Sequence, residues 1–218
     1  MTLKNRAVFL DRDGVINAMW LDPEHGTVDS PAHPDQFRLL PGVPEAVRRL
    51  RGLGFRIVVV SNQPGIAKGK MVPGLLDAIT RKMEEALRTA GASLDGVYYC
   101  LHHPAAVLPA YRQDCGCRKP RPGLLRRAAE ELGIDPERSY MIGDGLSDVQ
   151  AGKAVGCTTI WLGNLKCEIC KAMDENGVRP DYAELTLHDA ARLIEERESS
   201  GSSGLPEGSS ACRSDELP

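Results

Sequence analysis

Twenty-seven basic against 30 acidic residues leave the 218-residue chain with a net charge of -3, so no global field draws it to nucleic acid or an anionic membrane, and anion recognition has to be local. A hydrophobic content of 42% supports a full core at a length suited to one domain with an appendage. No leader pattern opens the sequence and no apolar run approaches the ~20 residues that span a bilayer, so a soluble cytoplasmic protein is expected, with its seven cysteines serving as metal ligands or buried thiols because the cytosol keeps thiols reduced.

The first apolar run, Ala7-Val8-Phe9-Leu10, is short and ends in Asp11-Arg12-Asp13-Gly14. Residues 18–40, with Pro23, Pro31 and Pro34, read as an irregular loop beside the end of that strand. A helix is expected over 44–53, then a strand over 56–60 whose β-branched residues suit burial on both faces of a parallel sheet, ending in Ser61-Asn62. Leu76, Ile79, Met83 and Leu87 recur at helical spacing. Further strands are expected at 97–100, 140–142 and 158–162, and further helices at 123–132, 148–155 and 185–196. The alternation predicts an α/β protein with a doubly wound, Rossmann-like parallel sheet over 1–198, followed by a disordered Ser- and Gly-rich tail over 199–218.

In such a sheet, ligands bind outside the carboxyl ends of the strands, where Asp11, Asp13, Ser61, Asn62 and Asp144 all fall. Breaking a phosphate ester calls for a nucleophile, a metal, and cations or donors around the transferring group. Asp11 can attack phosphorus and carry it as an aspartyl-phosphate. Asp13, two residues on, is placed to protonate the leaving oxygen and later to deprotonate water. Asp11, the main-chain carbonyl of Asp13 and Asp144 form a partial oxygen shell for magnesium, with Asp148 orienting metal-bound water.

Cys100-Leu101-His102-His103 and Cys115-Gly116-Cys117 flank a stretch with little regular pattern. Residues two apart in an extended segment face the same side, so Cys100 with His102 and Cys115 with Cys117 present two ligand pairs to one ion while His103 turns away. Three thiolates and an imidazole close a tetrahedral structural zinc site over loop 100–117. Arg118-Lys119 follow directly, Lys119 suited to a point contact with phosphate and Arg118 offering a planar fork for another anionic group. Cys167 and Cys170, three apart on a helix, read as buried thiols, and Cys157 and Cys212 stand in no motif.

These motifs resemble the haloacid dehalogenase superfamily of phosphohydrolases at Asp11-Arg12-Asp13-Gly14, Ser61-Asn62, Lys119 and Gly143-Asp144-Gly145-Leu146-Ser147-Asp148, over roughly residues 6–195. The resemblance implies that Ser61 and Lys119 hold the transferring phosphate, with Asp11 as nucleophile and Asp13 as general acid and base. The zinc loop, Ser61-Asn62-Gln63-Pro64-Gly65-Ile66-Ala67, and the run from Cys115 to Pro120 are similar to the D-glycero-D-manno-heptose 1,7-bisphosphate phosphatases, relatives of the histidinol-phosphatases. That similarity implies a fold without a large cap, removal of the 7-phosphate, and a substrate-recognition role for Arg118. Two departures stand out: Gly145 occupies a place where heptose-branch members carry lysine, and the 18–35 segment, which includes His25, is longer than its counterpart. Alternatives are a histidinol-phosphate or other sugar-phosphate phosphatase, and a non-catalytic module that binds a phosphorylated ligand. A small sugar phosphate is the expected partner, and a monomer the expected state.

Overall fold

The computed structural model describes residues 5–201. Its centre is a six-stranded parallel sheet. The strands are β1 (Arg6–Leu10), β4 (Phe55–Asn62), β5 (Gly96–Cys100), β6 (Tyr140–Gly143), β7 (Thr158–Leu162) and β8 (Tyr182–Glu184). They lie in the order β5-β4-β1-β6-β7-β8. The chain builds outward from β1 to β5, then returns to the other side of β1 and builds outward again. This reversal makes the carboxyl ends of β1, β4 and β6 the rim of a crevice, the usual ligand position in a doubly wound sheet.

The period-2 alternation of β1 divides its apolar residues between two layers. Val8 and Leu10 pack with Ile57 and Val59 against α1 (Val43–Gly52), α2 (Pro73–Thr89) and α6 (Leu187–Ser200). Ala7 and Phe9 pack with Val58 and Val60 against α3 (Gly123–Leu132) and Ala151 of α4 (Leu146–Lys153). All four of these β1 residues are fully buried, which accounts for an unbroken apolar run without a polar face. A smaller cluster joins Val149 and Trp161 to Met173 of α5 (Cys167–Glu175).

The expected doubly wound sheet is present, with three corrections. The 18–40 segment is not wholly irregular, because β2 (Trp20–Leu21) and β3 (Val28–Asp29) pair as a small antiparallel hairpin; two-residue strands leave no periodicity to read. The short edge strand β8, half buried throughout, likewise shows no alternating signal. Helix α6 begins two residues later than expected and continues to Ser200, so the boundary at 198 falls inside a helix; Thr186 caps its start by accepting from the Asp189 N–H. The rest of the expected tail, with Cys212, lies outside the described residues. Among those residues, the hairpin and the 101–122 loop are what stands over the carboxyl edge, with no large cap, and no helix is long and apolar enough to cross a membrane.

Helix α1 packs on both β4 and α6, and Leu50 in it is 0% exposed. Leu50→Ala should therefore lower unfolding stability by about 2–5 kcal/mol in chemical denaturation, whereas truncating the exposed Val72 should change it by about 0.5 kcal/mol or less.

Candidate active site and metal-ligating loop

Asp11 prolongs the pairing of β1 with β6 by one residue, its N–H donating to the Ile142 carbonyl at 3.0 Å. Its own Oδ1 accepts from the Arg12 N–H at 2.8 Å. The chain then turns, with the N–H groups of Ile16 and Asn17 both donating to the Arg12 carbonyl. Gly14 has φ +81°, and a Cβ there would stand 2.0 Å from Asp144 Oδ2. The turn thus lets Asp144, at the end of β6, come up against the Asp11 loop.

Asp13 is 8% exposed, and its carboxylate is saturated. Oδ1 accepts from Arg12 Nε at 3.0 Å and Asn17 Nδ2 at 2.9 Å; Oδ2 accepts from Arg12 Nη2 at 3.1 Å and Gln63 Nε2 at 2.7 Å. Burial opposes charge on Asp13, but the Arg12 guanidinium, with Gln63 and Asn17, outweighs it and holds the group below the usual carboxylate range. Arg12, Asn17 and Gln63 did not stand out in the sequence, since single polar residues beside a turn carry no spacing signal.

Lys119 reaches the same centre from the other side. Its Nζ donates to the Val60 carbonyl at 2.8 Å and lies 3.0 Å from Asp11 Oδ1 and 2.5 Å from Asp148 Oδ1. Burial works against this ammonium, yet Asp11 and Asp148 more than offset it and raise its pKa. Asn62, expected as a substrate contact, is occupied in holding Lys119: its Oδ1 accepts from the Lys119 N–H and its Nδ2 donates to the Lys119 carbonyl, both at 3.0 Å. Ser61 is 1% exposed, and its Oγ accepts from Gln63 Nε2 at 3.1 Å.

The carboxylates of Asp11, Asp144 and Asp148 offer oxygens within 4.8 Å of one another. The acid that joins Asp11 and Asp144 is therefore Asp148, while the Asp13 side chain faces Arg12. Burial, then Asp11, pushes Asp144 up to about 6. Burial also raises Asp148 to about 7, against the opposing pull of Lys119. Three acids around one lysine lack positive charge, and this oxygen-rich set fits a hard divalent cation.

In the 101–122 loop, the Sγ atoms of Cys100, Cys115 and Cys117 lie 3.2–3.4 Å apart. His102 Nδ1 is 3.5 Å from Cys117 Sγ, and all four ligand atoms fall within 4.8 Å. His103 turns away, as the extended spacing requires, and its Nδ1 accepts from the Ala105 N–H. Burial opposes ionisation of Cys115, but donation from Cys117, Cys100 and His102 brings it down to about 6. Cys100 and Cys117 are pushed up, by burial first. Three sulfur donors and an imidazole brought this close together form a soft ligand set, whose donor chemistry fits a thiophilic metal ion.

The loop is tied to the catalytic edge. The Gly123 N–H donates to the Gly116 carbonyl at 3.0 Å, and a Cβ at Gly123 would lie 2.4 Å from that oxygen. Arg118 Nη1 reaches the His102 carbonyl at 3.4 Å, and the Val107 N–H donates to the Ala67 carbonyl. A cavity of about 260 Å³ lined by Trp20, Asp29, Gln63, Gly65, Lys68 and Lys70 adjoins the site. His25 lies outside that lining, paired with Asp22 in solvent. The expectation of two buried thiols fails at both residues: Cys170 is buried but disulfide-bonded, and Cys167, the first residue of α5, is exposed. Cys157 is buried in the α3-side core.

Residues 29–156, more than half of the chain, match the family model described as haloacid dehalogenase-like hydrolase. The chain belongs to that family. Among similar haloacid dehalogenase-like hydrolases, D-glycero-beta-D-manno-heptose-1,7-bisphosphate 7-phosphatase of Escherichia coli K12 is 44% identical over 153 residues, covering 70% of this chain and 76% of the relative. The protein of that name from Pasteurella multocida is 43% identical over 190 residues, covering 87% and 96%. A solved D,D-heptose 1,7-bisphosphate phosphatase from B. bronchiseptica, complexed with magnesium and phosphate, superposes with TM-score 0.71 at 29% identity, covering 88% of this chain and 99% of its own.

The raised Asp144 sets a pH dependence. An acid whose pKa rises from 3.8 unfolded to about 6 folded adds stability below the lower value and loses it as pH climbs through the higher one. Without divalent cations, the melting temperature should therefore fall between about pH 4 and 6. Asp144→Asn should flatten that fall in a thermal-melt series, and added magnesium should stabilise the native protein more at pH 7.5 than at pH 5.

Proposed function

We propose that this hydrolase is a magnesium-dependent phosphatase that works through an aspartyl-phosphate on Asp11 and removes the 7-phosphate of D-glycero-D-manno-heptose 1,7-bisphosphate. The observation that carries the chemistry is the placement of Lys119 Nζ 3.0 Å from Asp11 Oδ1, with Ser61 at the end of the neighbouring strand. A nucleophilic carboxylate is thereby held beside a buried cation able to neutralise the incoming phosphoryl oxygens.

In the first half-reaction Asp11 forms a bond to phosphorus, the sugar oxygen departs, and a proton passes to it from Asp13. In the second, water attacks phosphorus, its proton passes to Asp13, and the Asp11–phosphorus bond breaks. The Asp13 carboxylate, held below the usual range by Arg12, favours the form that accepts that proton once one of its donors gives way. Magnesium would be held by Asp11, the main-chain carbonyl of Asp13 and Asp144, and supplies charge neutralisation at the transferring group. Asp148 acts chiefly by steadying Lys119 and bordering that metal. Zinc held by Cys100, His102, Cys115 and Cys117 has a structural role, fixing the loop that carries Arg118 and Lys119.

The sugar portion fits the cavity beside Gln63, with Arg118 contributing to recognition of the substrate and Asn62 acting through Lys119. The 43–44% identity to heptose bisphosphatases favours this substrate over histidinol phosphate. One chain supplies every residue used here, consistent with a monomer. The reduced thiols of the loop suit the cytoplasm.

Asp11→Asn should lower turnover roughly 10³-fold or more while leaving the melting curve near that of the parent; substantial remaining activity would exclude the covalent route. Parallel kcat/KM measurements should favour heptose 1,7-bisphosphate over histidinol phosphate. The reverse order changes the substrate, and no turnover of either ester with magnesium points to a binding module. Stripping the loop metal should lower the melting temperature and raise KM, because ligation and folding of the loop are coupled; a metal-free protein of unchanged stability and KM would refute the structural role.

A further inference from the structure

Gln63 has no part in the machinery above except as a wall of the cavity, yet it is only 2% exposed, and its amide touches three groups at the centre of the site. Nε2 donates to Asp13 Oδ2 at 2.7 Å and to Ser61 Oγ at 3.1 Å, while Oε1 accepts from Arg12 Nη2 at 2.8 Å. This orientation is chemically determined. Turned over, the amide would set its oxygen against the Asp13 carboxylate and its NH₂ against the Arg12 cation.

Both amide protons and the oxygen are thus in use. Ser61, accepting from Gln63, keeps its own proton free for the phosphoryl group. Arg12 is 0% exposed and grips Asp13 in a fork, so with the strand-end Ser61 it forms a fixed frame. Gln63 is the neutral member that spans this frame and meets Asp13 on Oδ2.

We propose that Gln63 is a positioning residue that uses Ser61 and Arg12 as anchors to aim the Asp13 carboxylate for proton transfer. The inference rests on the role proposed above for Asp13, and it adds a residue without which that carboxylate is present but misdirected. Proton transfer by a positioned acid matters most when the leaving oxygen is a poor leaving group and least for an aryloxide that departs unprotonated.

The test compares Gln63→Met and Gln63→Asn with the parent on two esters, the heptose bisphosphate and an activated aryl phosphate such as p-nitrophenyl phosphate, with Asp13→Asn alongside. Methionine fills the same space without donors, and asparagine keeps the amide but is one methylene too short to span. If Gln63→Met fails to fold by thermal melt, Gln63→Asn carries the comparison. The expected result is a kcat/KM loss of about 30-fold or more on the sugar ester and of about fivefold or less on the aryl ester, because kcat/KM reports the step that expels the leaving group, whereas water attack on the Asp11 phosphoenzyme is common to both esters.

Equal losses of kcat/KM on both esters, or no change, overturns the inference. Should Asp13→Asn discriminate between the esters while the Gln63 variants do not, the role of Gln63 fails and that of Asp13 stands. Should Asp13→Asn not discriminate either, both fail.

Discussion

The ammonium of Lys119, 3% exposed, lies between Asp11 and Asp148, and the rest of the catalytic edge is arranged around that charge. A lysine so enclosed is tolerated only where its lost hydration is replaced by paired charge and hydrogen bonds, and here the ammonium donates to the Val60 carbonyl and is ion-paired with Asp11 and Asp148. The same pairing leaves the acids in excess. Asp144 and Asp148 are pushed upward, so the centre is short of positive charge until a second cation arrives. Charge balance therefore links Asp11, Lys119, Asp144 and Asp148 into one unit.

The position of Lys119 is set by more than its own strand neighbours. Asn62 clamps its backbone with two hydrogen bonds from the end of β4, and on its other side Cys117 belongs to the metal-ligating group. The close approach of Gly123 to Gly116 seats that loop on the start of α3. Cys100 and Cys115, 15 positions apart, thus converge on one cluster directly before Lys119. Arg12 and Asp13 form the complementary pair across the crevice: a buried guanidinium and a saturated carboxylate whose separation from the Asp11–Lys119 pair keeps the two acids chemically distinct.

Much of this centre was legible before any fold was known, because Asp11, Ser61 and Asp144 stand at the ends of apolar strand runs and a doubly wound sheet gathers such ends. Asp11, Ser61 and Asp144 followed from that rule, and the paired spacing of Cys100 with His102 and of Cys115 with Cys117 foretold a four-ligand cluster. The hairpin of β2 and β3, the edge strand β8 and the last residues of α6 were not legible. Two or three residues cannot show a period, and the buried apolar positions of α6 end at Ile194, short of the left-handed Gly201 that closes the helix. The hold of Asn62 on the Lys119 backbone joins segments 57 positions apart, and no local pattern carries it.

The sequence by itself determined the chemistry: which residues can attack phosphorus, which can carry a proton, and which can ligate a soft or a hard ion, because these are properties of residue type and of position at strand ends. The partnership of residues was decided only by tertiary structure. Arg12 and Gln63 are 51 positions apart and Asp13 and Gln63 are 50, and only the parallel register of β1 with β4 brings them within hydrogen-bonding distance. Hydrogen bonds and ion pairs act over about 3 Å, so contacts between distant segments come into being with the fold and leave no pattern along the chain.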